Sequence, residues 1–336
     1  MRNFLYGAIT SAAIATLTVS TLTVAPALSA ERLSLSTWGS PAHYQVAEFV
    51  PMFKQLLEEK SDGDIRLKTF EGGEMVKQQF VATAVPQGTI DISLTTLDNW
   101  SGRVADVGIL TTPLWDKSME WTRDNLKPGN PVFDYFDAKL RDEGAIIIAM
   151  FDIGAPVVST SFEITGPEAF ANMPIRAYSK GSAQVLQTLG AAPTIMGVGD
   201  VYSGLQRGTV KGAMGGLGGA VGLKHYEVTS NMFVPNGVMG TLIHAYVMNK
   251  AKFEGMSPEN QKILMEAAAE ARDHMQQVAI DQLASLLDTV RENGNTVTIV
   301  EPGSPTWEAF AKQLEPLARE ATQSYPQEVQ DLIAAD

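Results

Sequence analysis

The order of apolar and polar positions predicts strands and helices in alternation. Apolar residues alternate with polar ones in LSLS (33–36) and in IRLKTF (65–70), as in half-buried strands. Between these strands, apolar residues recur at helical spacing from Val46 to Leu57, and Pro51 is expected to kink that helix. A helix is predicted over 74–86, followed by a strand in IDISL (90–94). The continuous apolar run GAIIIAM (144–150) is typical of a strand covered on both faces.

The second half of the chain continues the alternation and ends in long helices. PVVSTS, IRAY, PTIM and TVKGAM are predicted as short strands, with helical pieces between several of them. This order favours an α/β fold with at least one mainly parallel sheet. Ser257 and Pro258 are typical of a helix start, and no glycine follows before Gly294. A helix of about 36 residues is about 54 Å long, enough to brace two lobes.

The first thirty residues have the pattern of a secretory signal peptide. Arg2 precedes a largely apolar stretch, and Ala27 and Ser29 satisfy the small-residue rule for cleavage. We therefore predict cleavage near Ala30 and a periplasmic protein, with an uncleaved anchor as the alternative. No later stretch approaches the roughly 18 apolar residues that a membrane span requires.

The net charge of the chain limits which partners it can bind, and its cysteine content shows whether disulfides stabilise it. The chain has 25 Lys and Arg against 38 Asp and Glu, a net charge of −13, and removing the segment with Arg2 gives 24 − 38 = −14. An acidic chain without a basic run is repelled by nucleic acid and by anionic membranes, so neither is an expected partner. The sequence has no cysteine, and about 300 residues bury an adequate core without disulfides.

The sequence matches known catalytic motifs only poorly. Gly212, Gly216 and Gly218 have the GxxxGxG spacing of short-chain dehydrogenases, and Tyr246 and Lys250 supply the YxxxK pair of those enzymes. Only about thirty residues separate the two motifs, too few for the intervening sheet. The four histidines are scattered singly, with no HxH or HExxH pair, and there is no GxSxG motif. A hydrolase that uses carboxylates alone remains an alternative.

Residues 172–216, NMPIRAYSKGSAQVLQTLGAAPTIMGVGDVYSGLQRGTVKGAMGG, resemble the signature of the extracytoplasmic solute-binding proteins of TRAP transporters, the DctP-like family. Ile175-Arg176 stands for the family's "iR", and Asp200-Val201-Tyr202 stands for its "EvY". STWGSPAH (36–43), FEGGEMVKQ (70–78), QGTIDISL (87–94) and the strand and helix of 247–271 are similar to further family segments in the same order. The resemblance therefore covers nearly the whole chain after the predicted signal peptide.

The resemblance implies a two-lobe periplasmic binding protein of the type II-like class, with crossing strands and a long helix that braces both lobes. It places 31–153 and about 242–281 in the first lobe, and 154–241 and about 282–336 in the second. The expected partners are a small organic anion, enclosed between the lobes, and the small and large integral membrane subunits of a TRAP transporter. A monomer without cofactor or metal is expected. A binding protein of another importer class is the alternative within transport.

The resemblance also implies that Arg176 holds a ligand carboxylate, since a buried guanidinium can donate two parallel bonds. At two places the sequence differs from the family's pattern in a way that affects which ligand is expected. Gly215 replaces the family's Asn, and Ala155-Pro156 occupies the place of a second Arg in some members, which favours a bulky or aromatic monocarboxylate. Lys211 replaces the family's Asp and would restore a second cation if it pointed into the cleft. The candidate ligand-binding residues are Arg176, Trp38, Thr95, Thr96, Trp100, Trp115, Phe151, Tyr178, Gly215 and Gly216.

Overall fold

The computed structural model describes residues 30–335, so the predicted signal peptide lies outside the described residues except for Ala30. The strands of this part of the chain are β1 (Glu31–Ser36), β2 (Ile65–Phe70), β3 (Ile92–Thr96), β4 (Ala145–Asp152), β5 (Val157–Thr160), β6 (Pro174–Ala177), β7 (Ala192–Ile195), β8 (Gly212–Gly215), β9 (Asn231–Val234), β10 (Ile243–Asn249) and β11 (Thr296–Ile299). The α-helices are α1 (Tyr44–Ala47), α2 (Phe49–Lys60), α3 (Val81–Ala84), α4 (Met119–Asn125), α5 (Pro131–Asp142), α6 (Lys180–Thr188), α7 (Val201–Gln206), α8 (Leu217–Gly222), α9 (Lys250–Glu254), α10 (Pro258–Glu292), α11 (Pro305–Ser324) and α12 (Gln327–Ala334).

The strands form two mixed sheets, one in each lobe of an α/β fold. The first sheet has the order β2-β1-β3-β10-β4, with β10 antiparallel to both of its neighbours. The second has the order β11-β9-β5-β8-β6-β7, in which β6 runs parallel to β7 and β8. All eight residues of β4 are buried, as the apolar run at 144–150 predicts. The predicted two-lobe fold class is confirmed.

Two short connections cross between the sheets, one after β4 and one before β10, and α10 then leads the chain back to β11 of the second sheet. The Asp152 carboxylate lies at both crossings: it accepts hydrogen bonds from the Gly154 N–H (2.8 Å) and from the Thr241 hydroxyl (2.8 Å). From α10, the Gln276 amide donates to the Asp152 carbonyl at 2.8 Å and accepts from the Asp152 N–H at 3.1 Å. One residue therefore ties both crossings to the long helix.

Helix α10 extends along both lobes. It begins as predicted, with the Ser257 hydroxyl accepting from the Asn260 N–H and Pro258 in the first position, and it continues for 35 residues. Its first part packs against α2 and β4, and its later part contacts α8 and β11. None of the helices among residues 30–335 is long and apolar enough to cross a membrane.

Three local predictions differ from the structure. The helix expected around Pro51 is divided at Glu48 into α1 and α2, and Pro51 is the third residue of α2, where its missing N–H breaks no helical bond. The predicted helix over 74–86 is reduced to a 3₁₀ turn (Gln78–Phe80) and α3. The last helix, α12, packs on α5 and buries Val329 in the first lobe, so the assignment of all of 282–336 to the second lobe was wrong there.

Candidate functional site

Arg176 occupies the third position of β6, and neighbouring strands hold its guanidinium. The Nε–H donates to the Met196 carbonyl at 2.9 Å, just beyond β7, and Nη1 donates to the Met214 carbonyl of β8 at 2.8 Å. The residue is only 4% exposed. Because β6, β7 and β8 are parallel, the carbonyls near their carboxyl ends converge on one side chain.

The positive charge of Arg176 has no counter-ion in this part of the molecule. Among residues 30–335, no carboxylate lies within ion-pair distance of it, and the neighbouring Tyr178 is uncharged at neutral pH because burial raises its pKa well above the usual value. Burial lowers the pKa of Arg176 to about 10, which leaves the group protonated at neutral pH. An isolated buried charge costs several kcal/mol. The geometry therefore favours binding of an anion.

Arg176 lines a small cavity of about 50 Å³ between the two lobes. The first lobe and the crossings supply mostly polar and aromatic side chains, and the second lobe supplies the guanidinium and a wall of small residues. The lining residues are Trp38, His43, Gln45, Gln78, Thr96, Ile153, Leu242 and His244 on the one side and Arg176, Tyr178, Val198, Ala213, Gly215, Gly216, Gly219, Ala220 and His225 on the other.

The three histidines of the cavity are held in the neutral form. Burial lowers the pKa of His43 and of His225 to about 4, and the nearby Arg176 charge acts in the same direction. Burial lowers the pKa of His244 to about 3. At neutral pH, Arg176 is therefore the charged side chain of the cavity, and the other polar groups are neutral.

Six of the ten predicted site residues line this cavity. They are Arg176, Trp38, Thr96, Tyr178, Gly215 and Gly216. The Trp38 ring stands edge-on to the rings of His43 and His244, with centroids 5.3 and 5.5 Å away. Its Nε1–H is buried and has no partner in the described chain.

The other four predicted residues lie elsewhere. Thr95 is adjacent to Thr96 on β3, so its side chain points to the opposite face of the sheet. Trp100 is fully buried in the core of the first lobe. Phe151 is fully buried on β4, beneath the His244 ring at a centroid distance of 6.0 Å. These three residues support the cavity without lining it.

Trp115, the fourth of these, lines a second cavity beside the crossings. That cavity is larger, about 660 Å³, and mainly apolar. The lysine of this cavity, Lys117, is half-buried, and its ammonium lies 5.2 Å from the centroid of the Trp121 ring. A buried cation without a partner is found in the smaller cavity, which we therefore take as the candidate ligand site.

Lys211 does not point into the cleft. The residue is exposed, its ammonium lies 3.3 Å from the position that a Cβ on Gly208 would take, and it is not among the residues that line the cavity. The possibility that Lys211 supplies a second cation to the ligand is thereby removed.

The glycine-rich run at 212–222 allows the two lobes to approach closely. A Cβ on Gly215 would lie 3.3 Å from Arg176 Nη1, and one on Gly216 would lie 2.8 Å from Ile153 Cδ1. Farther along, a Cβ on Gly218 would meet the Tyr44 ring of the first lobe at 2.5 Å. Because the glycines of this run have no side chains, the segment around α1 packs directly against the backbone of α8.

Five polar residues of the cavity were not predicted from the sequence. They are His43, Gln45, Gln78, His225 and His244. The histidines lie far apart in the sequence, so no local motif joins them. They do not form a metal site either: within residues 30–335, no group of three or more metal-binding side chains is placed to hold an ion.

Comparison with known sequences identifies the family. Residues 35–324 match the sequence model of DctP, bacterial extracellular solute-binding protein family 7. The chain belongs to this family. The resemblance derived from residues 172–216 is thereby confirmed. Members of family 7 are substrate-binding receptors in the periplasm, so the dehydrogenase and hydrolase interpretations are set aside.

Individual relatives agree with this assignment. The 2,3-diketo-L-gulonate-binding periplasmic protein YiaO of Escherichia coli (strain K12) is 25% identical over 244 residues, which cover 72% of this chain and 73% of the relative. Two solved structures share the fold. The Bordetella pertussis receptor DctP7 with pyroglutamic acid has a TM-score of 0.83 at 16% identity, covering 91% of this chain and 100% of its own. A Polaromonas TRAP solute-binding protein with D-erythronate has a TM-score of 0.82 at 17% identity, covering 91% and 99%.

Proposed function

We propose that this family 7 protein captures a small organic acid with one carboxylate between its lobes and delivers it to the integral membrane subunits of a TRAP transporter. One observation carries the proposal: the guanidinium of Arg176 is buried at an interlobe cavity without a counter-ion among the described residues. A ligand carboxylate would neutralise it.

The hydrogen bonds of Arg176 leave the required donors free. A guanidinium has five N–H groups. The Met196 and Met214 carbonyls take one from Nε and one from Nη1, which leaves the second Nη1–H and both Nη2–H groups for a ligand. The edge between Nη1 and Nη2 can donate two parallel bonds to one carboxylate. The carbonyls fix the orientation of that edge before the ligand arrives.

The cavity supports the single carboxylate but gives no support to a bulky aromatic body. The volume of about 50 Å³ is room for roughly three to five water molecules on the same measure. Lys211 points away, and the cavity has no other cation at neutral pH, so a second carboxylate would remain unpaired. We therefore replace the expected aromatic ligand with a small, polar monocarboxylate.

Three of the relatives are named for acids of this class or hold one, whereas another is named for C4-dicarboxylates and a further structure holds succinate. 2,3-Diketo-L-gulonate, pyroglutamic acid and D-erythronate each have one carboxyl group and further polar groups. Each name applies to its own protein, and extending the class to this chain is part of the proposal. The polar side chains around Arg176 are the local reason for the extension.

Isothermal titration calorimetry with a panel of acids tests the proposal. We expect D-erythronate and pyroglutamate to bind more tightly than succinate, which has a second charge, and than phenylacetate, which has an apolar ring. Arg176→Ala should weaken the best acid by about 30-fold or more, since truncating one partner of a buried charge pair costs about 2–5 kcal/mol. Arg176→Lys should recover only part of the affinity, because lysine lacks the two-donor edge of a guanidinium.

A circular dichroism spectrum and a thermal melt of each variant provide the control for folding. Unchanged affinity in a folded Arg176→Ala variant would remove the guanidinium from ligand binding. Tightest binding of succinate or phenylacetate would contradict the proposed ligand class and leave the carboxylate clamp in place.

A further inference from the structure

Three of the four histidines in the chain line the same cavity as Arg176, although they come from distant segments. His43 is the residue before α1, and His244 lies on β10, both in the first lobe. His225 opens a 3₁₀ turn (His225–Glu227) in the second lobe. The histidines therefore face the ligand space from both sides of the cleft.

The rings leave four buried nitrogens without a partner in the described chain. They are Nε2 of His43, Nδ1 and Nε2 of His225, and Nδ1 of His244. A buried polar atom without a hydrogen-bond partner destabilises the folded protein, because it has lost its bonds to water. Four unpaired nitrogens at one cavity favour a ligand that supplies the missing hydrogen bonds.

The neighbouring hydrogen bonds assign the tautomers of two rings. His43 Nδ1 lies 3.3 Å from the Ser40 carbonyl, which can only accept, so Nδ1 holds the proton and Nε2 is an acceptor. The Thr96 hydroxyl already accepts from the Gln78 amide at 2.6 Å, and it lies 3.2 Å from His244 Nε2. Among residues 30–335, Nε2 is the one acceptor within hydrogen-bond reach of the Thr96 hydroxyl proton, so we assign the proton to that bond, which leaves Nδ1–H of His244 as a donor.

The cavity thus offers both donors and acceptors that are uncharged. His43 Nε2 is an acceptor, His244 Nδ1–H is a donor, and neutral His225 has one of each. A hydroxyl group both donates and accepts, and an oxo group accepts, so these groups match the rings. A methylene chain would leave the nitrogens unpaired.

The charges around the rings agree with this match. Arg176 is the cation that faces His43 and His225, Tyr178 lies beside it, and His43 is the titratable group that acts on the pKa of His244. Burial lowers the pKa of each ring, so all three are neutral at pH 7. No carboxylate lines the cavity within residues 30–335 that would favour a charged imidazolium.

We propose that His43, His225 and His244 form a neutral histidine subsite that recognises the hydroxyl or oxo groups of an acid whose carboxylate is bound by Arg176. This inference rests on the proposed function. Since His225 belongs to the second lobe and the other two rings to the first, the subsite is complete only when the lobes are closed. In the open cleft water reaches the rings, the cause of their lowered pKa is gone, and acidification protonates them. Closure must then remove these protons or enclose extra charge beside Arg176, so acidification opposes closure.

Two four-carbon acids test the subsite: D-erythronate, which has three hydroxyl groups, and butanoate, which has none. At about pH 7.5 we expect the wild type to bind D-erythronate at least tenfold more tightly than butanoate, the margin of roughly one or two buried hydrogen bonds. His225→Phe keeps a ring but removes both nitrogens, so it should reduce the preference to about threefold or less by weakening D-erythronate alone. His225→Gln, which has a donor and an acceptor, should restore part of the preference.

The exposed His274 provides the matched control, since His274→Phe keeps a ring but removes both nitrogens outside the cleft and should leave both affinities at their wild-type values. A pH profile adds a second measurement. Between about pH 7 and 5, D-erythronate affinity should fall more steeply in the wild type than in His225→Phe, because one of the titrating rings is gone.

The outcomes separate this inference from the proposed function. Equal weakening of both acids in His225→Phe would show a structural role and overturn the subsite. A wild type that binds butanoate as tightly as D-erythronate, with loss of both in Arg176→Ala, would also overturn it and leave the proposed function intact. No binding of D-erythronate would overturn the subsite as well, and the wider acid panel would then decide the proposed function.

Discussion

At the scale of single residues, Gly215 determines how closely the backbone of β8 approaches the guanidinium of Arg176. The position that a Cβ would take lies 3.3 Å from Nη1, closer than ordinary van der Waals contact. The guanidinium is fixed on its other side by the Met196 carbonyl, so it has little freedom to retreat. The absence of a side chain at position 215 is therefore part of the anion site.

Gly215→Ala tests this contact. The added methyl group should displace the guanidinium by a few tenths of an ångström and weaken acid binding roughly tenfold, or about 1.4 kcal/mol. Calorimetry with D-erythronate measures the change. Gly102→Ala is the matched control, because a Cβ at that exposed glycine would meet nothing within 4 Å. Equal affinities in the two variants would contradict the close-contact explanation.

At the scale of elements, the glycine-rich helix α8 forms the surface of the second lobe that meets the first. The position of a Cβ on Gly222 falls well inside contact distance of the Ala42 carbonyl oxygen, and Gly218 faces the Tyr44 ring. Backbone cannot move aside as a side chain can. The closed arrangement of the lobes therefore depends on a glycine at position 222.

We expect Gly222→Ala to keep the lobes apart. Acid binding should weaken by about two orders of magnitude, roughly 2.7 kcal/mol, because closure no longer encloses the ligand. The melting temperature of the ligand-free protein should stay near the wild-type value, since the clash exists only between closed lobes. Gly218→Ala should have a smaller effect, because the Tyr44 ring can rotate.

Small-angle scattering supplies a direct measurement of closure. In the wild type, a saturating acid should reduce the radius of gyration, and in Gly222→Ala it should not. A wild-type radius that does not respond to ligand would show a preformed site. A normal decrease in Gly222→Ala would show that this glycine contact is not needed for closure.

At the scale of the whole molecule, buried ionisable groups make stability depend on pH. Burial lowers the pKa of His43, His225 and His244 to about 4, 4 and 3 from an unfolded value near 6.5. Their contribution to the free energy of unfolding is therefore full above about pH 6.5 and is lost as the pH falls toward 4. Burial raises the pKa of Asp152 to about 6, so its contribution is present below about pH 3.8 and lost as the pH rises through 6.

The histidines should dominate between pH 6.5 and 5. Over that interval each histidine ring lowers the free energy of unfolding by about 2 kcal/mol, at about 1.36 kcal/mol per pH unit. Asp152 raises the free energy of unfolding by about 1.4 kcal/mol over the same interval. Thermal melts should therefore show a lower melting temperature at pH 5 than at pH 7, with opening of the cleft first. His274→Gln should keep the wild-type profile. A constant or rising melting temperature on acidification would contradict the prediction.

Much of the fold followed from the sequence because periodicity is local. The alternation in 65–70 predicts β2 at its observed bounds, and Ser257 with Pro258 predicts the start of α10. Arg176 could be singled out because family segments surround it in order along the chain. The break at Glu48 and the short turn at 78–80 could not be predicted, since packing between elements decided them.

The sequence by itself determined most of the strands, the long helix, the family and the one arginine at the cleft, because each lies in contiguous residues. Strands β9 and β11 were not predicted. Only the tertiary structure decided which side chains share the cavity. Alternation on β3 shows that Thr95 and Thr96 face opposite sides, but the neighbouring lobe determines which one faces the ligand. The histidine subsite joins His43 to His225 and His244, about 180 to 200 positions later in the chain, and no local pattern encodes contacts that arise only when two sheets and their crossings come together.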